Sequence, residues 1–281
     1  MNSILRPNIT KRLSRISLYL FVSSFGLVMV LPFYYMIITS FKRLEDVSAV
    51  PISLTLTEPT LKPYFSLLEG LAYGRFMLNS FLIALITTFG TLFFCTLAGY
   101  AFAKHNFKFK DTFFIFLLCT MLIPGSVLLV PGFLLMRDFG WLNTFLPLIM
   151  PGMTGAFGIF LARQFIHEIP NDFIDAARID GAGDFRIYLS IILPLSKPLL
   201  ATLAILTFLY NWNNFISPLI YIFDEAKFTL PLGLSLLQGR YTNTENVQMA
   251  GAALAIIPVL VLFFIFQKQI VKSLSSSGLK G

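Results

Sequence analysis

Charge is scarce in this chain. Only 12% of its 281 residues are Asp, Glu, Lys or Arg, where a soluble domain carries about a quarter. The shortage excludes an ordinary water-soluble domain and makes the bilayer the solvent. Cysteine is nearly absent too: Cys95 and Cys119 are too few for a disulfide framework, and both fall in apolar runs, so they read as buried thiols. The only histidines are His105 and His167, and no Cys, His or carboxylate cluster has ligand spacing, so no metal site is expected. A Gly-Lys dipeptide occurs nowhere, which removes the phosphate-cradling G-x-x-x-x-G-K-[ST] loop and with it nucleotide chemistry on this polypeptide. No Ser, His and Asp arrangement points to hydrolysis, and no internal repeat is evident.

What is abundant is apolar: 56% of residues are hydrophobic and 31 are Phe. Runs near the roughly 20 residues needed to cross about 30 Å of hydrocarbon number six, at Leu18–Ile38, Phe81–Phe102, Phe113–Leu135, Phe145–Ala162, Leu199–Ile222 and Met249–Phe266. Pro124 and Pro131 interrupt the third and Pro218 the fifth; proline removes a backbone donor and kinks a helix, which is tolerated where neighbours or a wet cavity satisfy the freed carbonyls. The six spans hold no Asp, Glu, Lys, Arg or His. Ion-coupled carriers are usually marked by such residues, although Asn, Thr or backbone carbonyls leave sodium binding open.

The cations set an orientation. With the N-terminus in the cytoplasm, the inner segments hold fourteen of the 21 Lys and Arg and six of the 14 acids, so the inner face is net +8 and the outer face net −1. The positive-inside rule supports this arrangement. The basic balance is therefore a topology signal, and no nucleic-acid partner is needed to explain it. Four cations before the first run resemble a secretory signal, but the run is about 21 residues long and lacks an A-x-A-like site, so an uncleaved signal anchor is expected.

The loops differ in kind. Thr39 to Ser80 is long, carries Pro51, Pro59 and Pro63, and is expected to fold into short outer elements. Lys104 to Asp111 is a tight basic inner turn. The outer segment Phe223 to Gln248 is too polar to span and long enough to meet a partner. Arg163 to Pro198 is the longest inner loop. Within it, Pro170 suits a first helical turn, and Asn171 and Asp172 suit its positive end. Gly181 and Gly183 supply stops. A short helix of about ten residues results, with Phe173, Ala176, Ala177 and Asp180 at spacings that share a face. A second helix begins at Asp184 as N-cap. An amphipathic helix lying on the membrane surface is the plain alternative.

Polar residues inside the spans are few. Asn211, Trp212, Asn213 and Asn214, with Tyr210 beside them, offer the amides and aromatic faces that suit a sugar, so they are candidates for a translocation cavity or gate. Interhelical hydrogen bonding with Trp212 as core filler is the competing reading. Asn79 and Ser80 read as a helix start or an interhelical bond.

The segment Pro-Asn-Asp-Phe-Ile-Asp-Ala-Ala-Arg-Ile-Asp-Gly-Ala-Gly from Pro170, continuing to Leu193-Pro194-Leu195-Ser196-Lys197-Pro198, closely resembles the EAA loop of ABC-importer permeases. The likeness is to the carbohydrate-uptake group, on the side of the maltose-type second permease. It extends through Asn79-Ser80, Gly99-Tyr100-Ala101-Phe102-Ala103-Lys104, Pro124, Phe160-Leu161, Trp212-Asn213-Asn214-Phe215, Pro218-Leu219 and Gly278-Leu279-Lys280-Gly281, roughly Phe76 to Gly281. One departure is that the family's leading Glu is Asp175 here, which keeps the charge on a side chain one methylene shorter.

The resemblance implies a mechanism. The loop helix is the family's coupling helix and docks in a cleft of a separate ATPase, with Phe173, Asp175, Ala176, Ala177, Arg178, Asp180 and Gly181 at the contact. ATP and Mg belong to that partner, and this chain binds no cofactor. Two ATPase subunits, a second permease in a heterodimer, an extracellular sugar-binding protein and the carbohydrate itself complete the expected assembly, with Gln238, Gly239 and Arg240 as candidate contacts to the binding protein. The expectation is an all-α polytopic membrane protein with six transmembrane helices and a cytoplasmic coupling-helix loop, in the bacterial cytoplasmic membrane with both termini inside. It is a permease and not an enzyme. Residues 1–75 would form the N-terminal segment, first span and outer loop; residues 76–281 the transporter domain, with coupling loop 163–198. A permease for another solute is the nearest rival, and an ion-coupled carrier the rival from a different class.

Overall fold

The computed structural model describes residues 6–47, 53–70, 72–240 and 245–277. It is built from helices alone among these residues. In chain order they are α1 (Arg6–Ser40), α2 (Leu44–Val47), α3 (Lys62–Gly70), α4 (Tyr73–Lys104), α5 (Lys110–Thr120), α6 (Leu129–Asp138), α7 (Leu146–Ile149), α8 (Ala156–His167), α9 (Asp172–Ile179), α10 (Asp184–Ile187), α11 (Leu193–Leu195), α12 (Lys197–Trp212), α13 (Ile216–Tyr221), α14 (Leu230–Arg240) and α15 (Glu245–Ser277). Short 3₁₀ turns precede α6, α8 and α14, and a π-helical turn at Tyr188–Ile192 joins α10 to α11.

Four stretches are long and apolar enough to cross a bilayer: Arg12–Ser40, Tyr73–Lys104, Leu146–His167 and Glu245–Gln267. Two more candidates are bent pairs, Lys110–Thr120 with Gly125–Asp138 at 88° and Asp184–Leu195 with Lys197–Trp212 at 81°; counting each pair as one span gives six. The third expected span is thus broken, where Pro124 sits in extended backbone between α5 and α6. The fifth runs from Lys197 to Trp212 rather than to Ile222, and α13 is a separate short helix beyond a break at Asn213 to Phe215.

The chain divides into two compact units. The first comprises residues 1–71 and 237–256. In it the end of α1 is tied to α3, because the Ser40 hydroxyl lies 2.8 Å from that of Tyr64 and the Phe41 and Tyr64 rings are 5.2 Å apart. The Asn246 amide donates to Lys42 O at 3.0 Å, and the Lys42 ammonium donates to Ser53 O.

The second unit, residues 72–236 and 257–281, is organised around α4. At about 1.5 Å per residue its 32 residues exceed the hydrocarbon thickness. Exposure recurs at Leu78, Leu82, Ile86, Phe89 and Phe93, while Ser80, Ala84, Thr87, Thr91, Cys95 and Gly99 are buried. Along α4 the exposed side is therefore large and apolar, and the buried side is mostly small or hydroxylated, with Tyr73, Phe76, Ile83 and Tyr100 as its large buried members; small buried residues suit helix association by close packing. Thr88 turns its hydroxyl to Ala84 O at 2.6 Å within α4, and the Thr91 hydroxyl meets both Thr87 O of its own helix and Gly152 O outside it, each at 2.9 Å.

Small residues let α8 approach α4. A Cβ at Gly99 would lie 2.4 Å from Ala162 Cβ and 2.8 Å from the Arg163 nitrogen, and one at Gly158 would lie 2.8 Å from Cys95 Sγ. Cys95 is buried as expected; Cys119 is exposed, because α5 turns that face away from its neighbours. Asn79 and Ser80 do not start a helix. They lie within α4 and hold the segment before α14: the Asn79 amide donates to Ala226 O and Phe228 O at 3.1 and 3.0 Å, and Ser80 Oγ accepts from Leu230 N at 2.7 Å.

Candidate functional site

The helix α9 has eight residues, too few to be stable alone in water. Its stability comes from three attachments. Ile174 is 3% exposed and sits in a core with Tyr100, Ala162, Ile166, Ile187 and Tyr188; burying one such side chain contributes about 1.5–3 kcal/mol. The ammonium of Lys104, at the end of α4, donates to the carbonyls of His167 and Ile169 and to Asn171 Oδ1, the last at 2.8 Å. Asn171 is the N-cap residue, so one cation ties the end of α4 to the start of α9.

The third attachment is the C-terminal cap. Gly181 has φ +78°, its N–H donates to Arg178 O at 3.0 Å, and the Ala182 N–H donates to Ala177 O at 2.9 Å. This pair of bonds is the Schellman arrangement, which needs a left-handed residue at the position after the cap. Arg178 then donates to Asp184 Oδ1 at 3.1 Å across the turn, and that bond pushes the guanidinium further above its ordinary range. Asp184 is the first helical residue of α10 rather than its N-cap, which is Gly183.

The sequence puts Phe173, Ala176, Ala177 and Asp180 on one face; the structure separates them. Ala177 is half-buried against the core beside Ile174, whereas Ala176 and Asp180 are exposed and Phe173 is half-exposed at the edge. The outward surface is formed by Asp175, Ala176 and Ile179, flanked by Phe173 and Asp180. Ile179 is 87% exposed and Phe185 56%, and neither stood out in the sequence. The signal was available: apolar residues on the polar side of a short amphipathic helix do not stabilise the isolated chain and so mark a contact surface.

Behind α9, the π turn buries Tyr188 completely. Its ring stacks on Tyr100 with centroids 5.9 Å apart, and its hydroxyl meets that of Thr96 at 2.8 Å and Phe93 O at 3.2 Å. Extra residues in a π turn re-aim a side chain and are frequent at functional places. Here the turn holds the stretch after α9 against the C-terminal half of α4.

The second feature is a cavity of about 640 Å³ between α4, α8 and α12, within the size range of small-molecule sites. Tyr210, Asn211 and Asn214 line it, together with Thr91, Thr207 and Ser217. Asn211 donates to Thr207 O at 2.8 Å, and Asn214 both donates to Ser217 Oγ at 3.1 Å and accepts from Ser217 N at 3.2 Å, so the amides are held in place. Trp212 and Asn213 are not in the wall. Trp212 is 3% exposed and stacks on Phe208 at 5.7 Å, and Asn213 donates to Leu209 O on the exposed side. Helical geometry gives the reason, since consecutive residues of α12 point 100° apart and only some reach the cavity.

Gln238, Gly239 and Arg240 end α14, but their side chains lie outside the described residues, as does Gly278 to Gly281.

Comparison with known proteins gives three findings. A family model described as binding-protein-dependent transport system inner membrane component matches residues 95–276. The arabinooligosaccharides transport system permease protein AraQ of Bacillus subtilis is 33% identical over 95% of this chain and 96% of its own length, and the sulfoquinovosyl glycerol transport system permease protein SmoH of Agrobacterium fabrum is 32% identical over 89% and 88%. A chain of a bacterial ABC transporter involved in the import of the acidic polysaccharide alginate superposes with a TM-score of 0.82 at 24% identity, over 95% of this chain and 99% of that one.

Proposed function

Since this chain belongs to the family of binding-protein-dependent transport system inner membrane components, we propose that it is one permease half of an ATP-driven importer for an oligosaccharide. It is a multi-pass membrane protein. It pairs with a different permease chain in the bacterial cytoplasmic membrane, with both termini inside, and receives its sugar from an extracellular binding protein. ATP and Mg are bound by two separate ATPase subunits.

The observation that carries this reading is α9: a short helix capped by Gly181, fixed to α4 by Lys104, with Ala176 and Ile179 outward. A rigid helix with a small residue and an exposed apolar tip fits a cleft on another protein, and its firm attachment lets movement of that protein reach the bundle. Asp175, Ala176 and Ile179 make the contact, Phe173 and Asp180 border it, and Ala177, Arg178 and Gly181 keep the helix in shape. Tyr210, Asn211 and Asn214 line this chain's side of the passage. The end of α14, with Gln238, Gly239 and Arg240, meets the binding protein.

The sugar class is carried from the relative named for arabinooligosaccharides. The test is a pull-down on a tag from mild detergent, comparing the native chain with one whose residues 175–181 are scrambled. An ATPase co-purifying with the native chain alone supports the reading. Its absence from the native sample overturns it and points to a carrier driven by an ion gradient.

A further inference from the structure

The tight basic turn between α4 and α5 has no role in the transport cycle proposed above, and it holds a backbone outlier. Phe109, the residue before α5, has φ 63° and ψ 19°. That left-handed conformation is disfavoured for any residue with a Cβ, is rarest for bulky ones, and is where glycine usually serves. The turn closes without the Phe109 ring. The Lys110 N–H donates to Phe107 O at 3.2 Å, the Lys110 ammonium donates to His105 O at 2.9 Å, and Phe107 leans on Phe102 with ring centroids 5.6 Å apart. Phe109 instead points outward, 60% exposed, and packs on no other ring among the described residues. Strain retained at a side chain that adds nothing to packing points to a function for that side chain.

The surroundings of Phe109 indicate the ligand. The Lys108 ammonium lies 5.1 Å from the centre of the ring, and Lys108 is exposed with no carboxylate partner among the described residues. Phe113 and Phe116, on the same face one and two turns along α5, are 57% and 68% exposed. Three rings therefore lead from a cation into an apolar segment that belongs to a candidate span. Lys104, Lys108 and Lys110 are accompanied by no acid within the turn; the first, Asp111, is turned to Arg163 at 3.9 Å. Rings toward hydrocarbon and an ammonium toward the headgroups is the order that a bilayer boundary favours, and a lysine at that depth attracts anionic lipid. A soluble anion would leave the rings unused, and a neutral lipid would leave the charge unused.

We propose that the Phe109 corner binds an anionic phospholipid of the cytoplasmic leaflet, with Lys108 on the headgroup phosphate and Phe109, Phe113 and Phe116 against the acyl chains. The proposal rests on the permease reading for the side of the membrane on which the turn lies.

The whole complex carrying Phe109→Trp, reconstituted in phosphatidylcholine vesicles, tests it. Brominated phosphatidylglycerol or brominated phosphatidylcholine is added at equal mole fraction, and quenching of the fluorescence that the variant adds to native is read. Brominated phosphatidylglycerol is expected to quench at about fivefold lower mole fraction than brominated phosphatidylcholine, the effect of one lysine near the headgroups, and Lys108→Gln in the same background is expected to remove most of that preference. Inorganic phosphate, which has the charge without the chains, is expected not to compete. Phe109→Gly is expected to keep the native unfolding temperature in lipid-free detergent and to gain less stability than native from added phosphatidylglycerol. Equal quenching by the two lipids, an undiminished preference in Lys108→Gln, or competition by phosphate overturns the proposal. So does the absence of quenching by either lipid, which would show that another protein covers the corner. A lower unfolding temperature of Phe109→Gly without lipid would assign the ring to packing and overturn it as well. Each of these results leaves the permease reading in place; that reading fails if no ATPase accompanies the native chain.

Discussion

The ammonium of Lys104 lies 2.8 Å from Oδ1 of Asn171, so the last residue of α4 holds the first turn of α9. Because α4 also contributes Thr91 to the cavity, one continuous helix joins the outward-facing loop helix to the polar space. On the permease reading proposed above, a push on α9 would be carried along α4 by backbone hydrogen bonds instead of being absorbed in a flexible loop.

Lys104→Met keeps the apolar stem and removes the three hydrogen bonds. The expected outcome is a complex that inserts normally but hydrolyses ATP with little sugar uptake, measured as the ratio of uptake to hydrolysis in proteoliposomes. An unchanged ratio would show that Ile174 and the Gly181 cap hold α9 by themselves.

At Gly181 the left-handed backbone at φ +78° costs a β-branched residue about 1–2 kcal/mol. Gly181→Val is therefore expected to fray the end of α9 and reduce ATPase co-purification severalfold, while Gly181→Asn, which tolerates this conformation, retains most of it. Equal retention by both variants would mean the cap is dispensable.

Ala176 and Ala177 separate contact from packing. Ala176→Trp adds bulk on the exposed side and is expected to block ATPase docking with no change in thermal unfolding. Ala177→Trp forces bulk against the Ile174 core, where overpacking costs about 1–3 kcal/mol, and is expected to lower the unfolding temperature as well. Fluorescence-detected thermal unfolding of the isolated chain, read beside the pull-down, checks both; identical behaviour of the two variants would contradict the assignment of faces.

Gly99→Val tests the crossing of α4 and α8. With Ala162 and the Arg163 backbone already within 2.8 Å of a new Cβ, the helices must separate, and the expected result is a marked drop in folded protein recovered from membranes. Normal recovery would show that the crossing adapts.

Much of this was legible in the sequence. The six apolar runs, the broken third span at Pro124 and the helix ending near Gly181 follow from hydropathy, proline chemistry and left-handed glycine, all of which act within a few residues. Other features were not legible. The span ends at Trp212 rather than Ile222 because the chain breaks at Asn213 to Phe215, inside the polar asparagine cluster, whereas the sequence reading put the interruption at Pro218. Trp212 looked like a cavity residue because it adjoins three asparagines, yet neighbours on a helix point in different directions.

The sequence by itself determined the membrane as solvent, the positions of the apolar runs and the presence of a capped helix in the loop from Arg163 to Pro198, because charge density, hydropathy and capping are local properties. Only the tertiary structure decided that Ala177 turns inward while Ala176 turns outward, that Cys119 is exposed, that Lys104 clamps Asn171, and that Tyr188 reaches Thr96 across 92 positions. Each of those depends on which distant segment packs against which face, and that choice is made by close approach at residues such as Gly99 and Gly158, whose spacing along the chain names no partner.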